Sequence, residues 1–135
     1  MEQISTLHSQ ISSFPTLSIM EIRTRHYNNV VILSVNGRLD AATAPQLQQA
    51  IDEQTYNRLV VDLKQVDYMS SAGIKVLVQA TQKMRQQGGD FRIANARAHV
   101  KYVLHLAGIH TIIKMYTNVV SATASFFPGP LPEKA

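Results

Sequence analysis

Residues 58–94 read RLVVDLKQVDYMSSAGIKVLVQATQKMRQQGGDFRIA, and this stretch decides the fold class. It opens with the apolar run 58–63 and closes with a shorter run at 91–94, both typical of buried parallel strands. Between them, apolar residues recur at helical spacing from Ile74 to Met84, and Gly88-Gly89 ends the predicted helix. A strand–helix–strand unit within one sheet makes its two strands parallel.

Upstream of this unit the pattern predicts a hairpin. Weak alternation at 20–26 and a β-branched run at 30–35 indicate two strands, and the asparagines at 28–29 mark the turn between them. We expect Gly37 to stop the second strand.

A helix follows the hairpin. Thr43 and Gln46 match a capping box, in which the threonine hydroxyl accepts from a first-turn amide. Apolar residues at helical spacing then predict a helix that runs to about Gln54.

Downstream, a short amphipathic helix closed by Gly108 precedes a strand at 111–116 and a final helix at 119–127. The whole order predicts an α/β fold, a four-to-five-stranded, mostly parallel mixed sheet with about four helices packed on it. We expect one domain at 20–127, a flexible N-terminal extension at 1–19 and a Pro-rich disordered tail at 128–135.

Composition narrows the class of protein. The chain has 135 residues, close to the roughly 150 of one domain, and 45% are hydrophobic, enough for a packed core. It holds no cysteine, which excludes disulfides and thiol catalysis and fits a reducing compartment. No apolar run approaches the roughly 18 residues that span a bilayer. We therefore expect a soluble cytoplasmic domain without membrane insertion.

Charge is concentrated in one part of the chain. The net charge is +4, and six basic residues against the single acid Asp90 lie between Lys75 and Lys101. No aromatic interleaving and no helix-turn-helix pattern accompany them, so direct nucleic-acid binding is not predicted. A solvated face is the simpler interpretation, and an acidic partner or a bound phosphate is the alternative.

Motifs of common enzyme sites are missing. The sequence contains no G-x-S-x-G elbow, no P-loop and no G-x-G-x-x-G turn. None of the five histidines are placed four apart as a ligand pair on one helix face, and no acidic pair suggests a magnesium site. We predict no enzymatic activity, no metal and no cofactor.

Two polar motifs remain, and topology brings them together. Asp40 follows one predicted strand and Ser70-Ser71 follow the next, so both lie at the carboxyl edge of the sheet, where ligands and partners of open α/β sheets bind. Serines at a helix start are commonly no more than an N-cap. The same position also tolerates a phosphate, which offers a regulatory interpretation beside the structural one.

The order and spacing of these motifs resemble a known family. The stretch Gly37-Arg-Leu-Asp40 with its following helix, then YMSSAGIKVL (68–77) and VKYVLHLAGIHTIIKMY (100–116), looks like the STAS domain of anti-sigma factor antagonists. The resemblance covers residues 20–127.

That resemblance implies a regulatory switch. The implied partner is an anti-sigma factor that is also a serine kinase of histidine-kinase-like ATPase fold, opposed by a metal-dependent serine phosphatase. The unphosphorylated antagonist binds the anti-sigma factor, and phosphate on a serine before the motif glycine inactivates it. Carried onto this chain, the phosphoacceptor is Ser71. Ser70 is the alternative, because it places a second hydroxyl where the family often has an aspartate. The implied partner contacts are Asp40, Thr43, Met69, Ser70, Ala72, Gly73, Ile74 and Lys75.

Two other functions remain as alternatives. STAS domains without a phosphoacceptor role serve as scaffold subunits of phospholipid-transport or stress-sensing complexes, and such a subunit would bind its partner without switching. Weak nucleotide or anion binding at the start of the second helix, near the basic segment, is the third hypothesis.

Overall fold

The strands and helices follow the predicted alternation. A computed structural model describes residues 20–127, so the predicted extension at 1–19 and tail at 128–135 lie outside the described residues. The strands are β1 (Met20–Tyr27), β2 (Val30–Leu39), β3 (Arg58–Met69), β4 (Asp90–Ala94) and β5 (Lys114–Tyr116). The helices are α1 (Ala44–Asp52), α2 (Ser71–Gln86), α3 (Ala98–Leu106) and α4 (Val119–Ala124).

One mixed sheet contains all five strands, in the order β1-β2-β3-β4-β5. β1 and β2 form the predicted antiparallel hairpin, and Asn28 and Asn29 in its turn both have positive φ. The remaining neighbours are parallel. The predicted mostly parallel mixed sheet is therefore confirmed.

Strands β2 and β3 are longer than the sequence pattern predicts. β2 continues through Gly37 to Leu39, and β3 continues past Leu63 to Met69. Extra residues in β3 shift the register between the two strands at two points, so the buried residues of β3 lose their strict alternation there. The expectation that Gly37 stops the strand is wrong; its φ of 128° is accommodated inside the strand.

Two elements near the C-terminus also differ in extent. The predicted strand at 111–116 is only Lys114–Tyr116, because Gly108, with φ 76°, leads into a 3₁₀ turn at Ile109–Thr111. The final helix ends at Ala124 instead of 127.

The two faces of the sheet are covered differently. Helices α1, α2 and α3 pack on one face and form the main core with residues such as Leu33, Val61 and Ile93. Helix α4, with Phe126 and Phe127, covers only part of the other face, which we call the outer face. No helix within 20–127 is long and apolar enough to cross a membrane.

Candidate functional site

The carboxyl ends of β2 and β3 bring the two predicted motifs together. Leu39 is the register partner of Met69, and the Ser70 amide donates a hydrogen bond of 2.9 Å to the Leu39 carbonyl. Asp40 and Ser70 therefore follow directly from paired strand residues. The prediction that they share one edge of the sheet is confirmed.

Asp40 organises the turn before α1. Its Oδ1 accepts hydrogen bonds from the amides of Ala42 and Thr43, at 3.0 and 3.1 Å. The predicted capping box is wrong, because the Thr43 hydroxyl makes no cap bond and instead donates to the Arg38 carbonyl at 2.6 Å. The Gln46 side chain donates to the Met20 carbonyl. Asp40 therefore orders the turn that leads into α1, and the Gln46 amide donates to the Thr43 backbone carbonyl.

The Asp40 carboxyl is held in its ionised form. Desolvation alone would raise its pKa, but hydrogen bonds from Thr43 and Ala42 and the nearby Arg38 guanidinium outweigh that effect and lower the pKa. Arg38 Nε lies 3.6 Å from Asp40 Oδ2. The edge therefore presents a fixed negative charge at neutral pH.

Thr43 is buried and supports this turn from below. Its hydroxyl also accepts from the Asp40 amide at 3.0 Å, so the change Thr43→Val leaves an amide and a carbonyl without partners. We expect a loss of about 2 kcal/mol in the free energy of unfolding, measured by urea denaturation. Thr111→Val, which removes an exposed hydroxyl bond, is the control and should change stability by no more than about 0.5 kcal/mol. Equal stability of the two variants would contradict this role.

The two serines have different environments. Ser70 is the N-cap of α2, and its half-buried hydroxyl accepts from the Gly73 amide at 3.4 Å. Ser71 is the first helical residue and is exposed, and within residues 20–127 its hydroxyl has no hydrogen-bond partner. The cap is therefore supplied by one serine, and the other is open to solvent.

Gly73 is small because the helix approaches the sheet closely. A Cβ at this position would lie 2.7 Å from Leu39 Cγ and 2.9 Å from Met69 Sδ. Of the predicted partner contacts, Thr43, Met69 and Gly73 are buried, while Asp40, Ser70, Ala72 and Ile74 are half-buried and Lys75 is exposed. The buried three hold the edge in place from beneath.

Arg38 and Tyr68 also belong to this edge, although the sequence does not single them out. They are register partners on β2 and β3, and the Arg38 guanidinium lies 4.2 Å from the centre of the Tyr68 ring. Tyr68 is 40% exposed. Only the continuation of both strands beyond their predicted ends places the pair beside Asp40. We call Arg38, Asp40, Tyr68, Ser71 and Lys75 the edge surface.

Ion pairs neutralise part of the positive charge of the basic segment between Lys75 and Lys101. Arg85 and Arg92 both pair with Asp90, and Lys83 pairs with Asp52. Arg92 is buried and packs against Phe126. Within the described part of the chain, no group of three or more His, Cys, Asp or Glu side chains is arranged to hold a metal ion.

His105 and His110 stack on each other, a contact that their sequence spacing does not predict. Their ring centres are 4.1 Å apart, and the planes of the two rings are nearly parallel. Desolvation, then the charges of His110 and Lys101, lower the pKa of His105.

The folded state therefore binds a proton at His105 less readily than the unfolded chain does, so this residue reduces stability as the pH falls through the usual histidine pKa. We expect His110→Gln to raise the pKa of His105, and Lys101→Gln to raise it less, because the Lys101 charge is the smaller cause. An NMR titration of the histidine ring protons measures both. Titration of His105 at or above its usual pKa in the unaltered chain would refute the assignment.

Comparison with known proteins identifies the family. Residues 21–122 match the family model described as the STAS domain. This chain belongs to the STAS domain family. The resemblance inferred from the motifs, and with it the STAS-like fold, is confirmed.

Relatives of this STAS domain carry regulatory names. An anti-sigma F factor antagonist of Paenibacillus polymyxa is 27% identical over 107 residues, covering 76% of this chain and 92% of the relative. The anti-sigma-F factor antagonist RsfB of Mycobacterium tuberculosis is 28% identical over 99 residues, covering 71% and 80%. A crystal structure of an anti-sigma factor antagonist from Mycobacterium paratuberculosis has 28% identity and a TM-score of 0.72, covering 82% of this chain and 98% of that one.

Proposed function

We propose that this chain is an anti-sigma factor antagonist that binds its anti-sigma factor through the edge surface and is switched off by phosphate on Ser71. The names of its relatives support the first part. The exposed, unpartnered Ser71 hydroxyl at the start of α2 is the observation that supports the second. The role is regulatory and non-enzymatic.

The environment of Ser71 suits reversible phosphorylation. The first turn of α2 contains no acidic residue, and its amides and helix dipole favour an added negative charge. Lys75, exposed and four residues further along the helix, is a helical neighbour of Ser71 and can pair with a phosphate there. The modified chain should therefore remain folded.

The same phosphate disrupts docking. It adds about −1.5 to −2 charges at pH 7 beside the ionised Asp40. A strongly hydrated group in a contact surface must lose water when the partner binds, and it finds no compensation on a surface that complements the free hydroxyl. Phosphorylation of Ser71 is thus expected to weaken partner binding without unfolding the chain.

In this proposal the anti-sigma factor of the same host is also the serine kinase, of histidine-kinase-like ATPase fold, and a metal-dependent phosphatase removes the phosphate. Ser70 is the less favoured acceptor because its hydroxyl caps α2.

The test is incubation with the cognate kinase and ATP, followed by mass-spectrometric mapping. We expect phosphate on Ser71, none in Ser71→Ala, and phosphorylation retained in the matched variant Ser70→Ala. Phosphate on Ser70 in the unaltered chain, or incorporation surviving Ser71→Ala, would overturn the assignment. Equal partner binding by Ser71→Ala and Ser71→Asp would instead favour a non-switching scaffold subunit.

A further inference from the structure

The outer face of the sheet contains a groove that the proposed function does not use. Along its carboxyl half lies a cavity of about 750 Å³, floored by the register row Arg23, Ser34 and Asp62 of β1, β2 and β3. A second cavity of about 450 Å³ lies at the carboxyl ends of β4 and β5 beside the start of α3, and Lys64 and Gln65 line both cavities. We call these two neighbouring cavities together the outer groove.

Helix α4 leaves this half of the outer face uncovered. The apolar cluster beneath α4 includes Val30, Ile32 and Val60, which stand on the same face as Ser34 and Asp62 but nearer the start of the strands. Parallel strands are normally covered on both faces. As far as residues 20–127 are concerned, this half of the outer face is open and polar, so it offers a surface to a partner.

Positive charge dominates the lining of the groove. Its cations are Arg23, Arg25, Lys64, Arg97 and Lys101. Within residues 20–127 none of the five forms an ion pair with a carboxylate, in contrast to Lys83, Arg85 and Arg92.

Two carboxylates, Glu21 and Asp62, also line the groove. Asp62 is committed internally, because it accepts hydrogen bonds from the Ser34 hydroxyl, the Asn95 side chain and the Lys64 amide. It therefore organises the floor through neutral donors, and within residues 20–127 it forms no ion pair with the surrounding cations.

Arg97 lines the second cavity and contacts Lys64, which lines both cavities. It is the N-cap residue of α3, and its Nε donates to the Lys64 carbonyl at 2.8 Å. That contact holds the start of α3 against β3 and places Arg97 beside the backbone of Lys64.

We propose that the outer groove binds an acidic segment of a partner protein. Charge complementarity supports this inference, since the two neighbouring cavities are lined by five cations that form no ion pair within residues 20–127. A polypeptide fits better than a nucleic acid, because single-stranded sites stack successive bases on several aromatics, and among residues 20–127 Tyr116 is the only aromatic that lines either cavity.

The experiment uses a fluorescein-labelled decaglutamate peptide as the probe and the full-length chain. Fluorescence anisotropy gives the affinity, and amide NMR shifts locate the contact. We expect shifts at Ser34, Asn36 and Gln65, and a roughly tenfold weaker affinity for Lys64→Glu. Lys114→Glu makes the same charge change at an exposed residue outside the groove and should bind with nearly unchanged affinity.

Three outcomes would overturn the proposal: no binding, equal weakening by both variants, or tighter binding of a ten-residue thymidine oligonucleotide at the same residues. Shifts confined to the edge surface would also overturn it, because they would place the acidic ligand elsewhere. Lys64→Glu should keep its affinity for the anti-sigma factor, so this test and that of the proposed switch can fail independently.

Discussion

Phosphorylation of Ser71 is expected to weaken binding of the anti-sigma factor by about 100-fold, which corresponds to about 3 kcal/mol. The cost arises because the phosphate enters an interface shaped for a bare hydroxyl at the start of α2. Asp40, ionised nearby, adds repulsion. Isothermal titration calorimetry with phosphoserine installed genetically at position 71 measures the change.

The matched control is phosphoserine at position 121, an exposed residue of α4 outside the edge surface. It adds the same charge and should leave the affinity within about twofold, because exposed charges far from a contact are screened by salt. Circular dichroism should show both proteins folded. Equal affinity of the two phosphorylated chains would eliminate Ser71 as the switch.

Gly73→Val is expected to destabilise the fold by about 3 kcal/mol. Even the first added carbon would stand 2.7 Å from Leu39 Cγ, and Leu39 is fully buried at the end of β2. Valine brings two further methyl groups into that space. Helix propensity acts in the opposite direction, but replacing glycine gains only about 0.5 kcal/mol, so the steric cost dominates.

Urea denaturation of Gly73→Val measures that cost. Ser71→Ala, two residues earlier on the exposed side of α2, is the control and should stay within about 0.5 kcal/mol of the unaltered chain. If Gly73→Val were as stable as that control, the close packing of α2 on Leu39 and Met69 would be wrong.

Local sequence pattern accounts for most of the fold. The asparagine turn, the apolar strand runs and the Gly88 stop are each encoded within a few residues, and all occur as predicted. The outward face of α2 likewise follows from helical spacing, with Lys75 and Gln79 exposed.

The pattern does not reveal features set by strand register. The extra residues in β3 break its alternation, which hides the last part of that strand and the Arg38–Tyr68 contact. The bonding of Thr43 is also hidden, because this residue satisfies the capping-box pattern yet its hydroxyl donates to the Arg38 carbonyl.

The position of the site can be predicted from the sequence, but its individual contacts cannot. Topology alone places Asp40 and Ser71 on one edge, since both follow parallel strands. The serine that caps α2 is set by the residue at which the helix begins, and the burial of Gly73 is set by its close packing against Leu39 and Met69. The stacking of His105 on His110 depends on the 3₁₀ turn that contains His110.

Amide NMR shifts of the isotope-labelled chain, recorded while the anti-sigma factor of its own host is added, show whether that partner binds the edge surface. We expect the largest shifts on Asp40 and on residues 68–75, with the outer groove little changed. Shifts concentrated on the outer face, or none at all at saturating partner, would contradict that expectation.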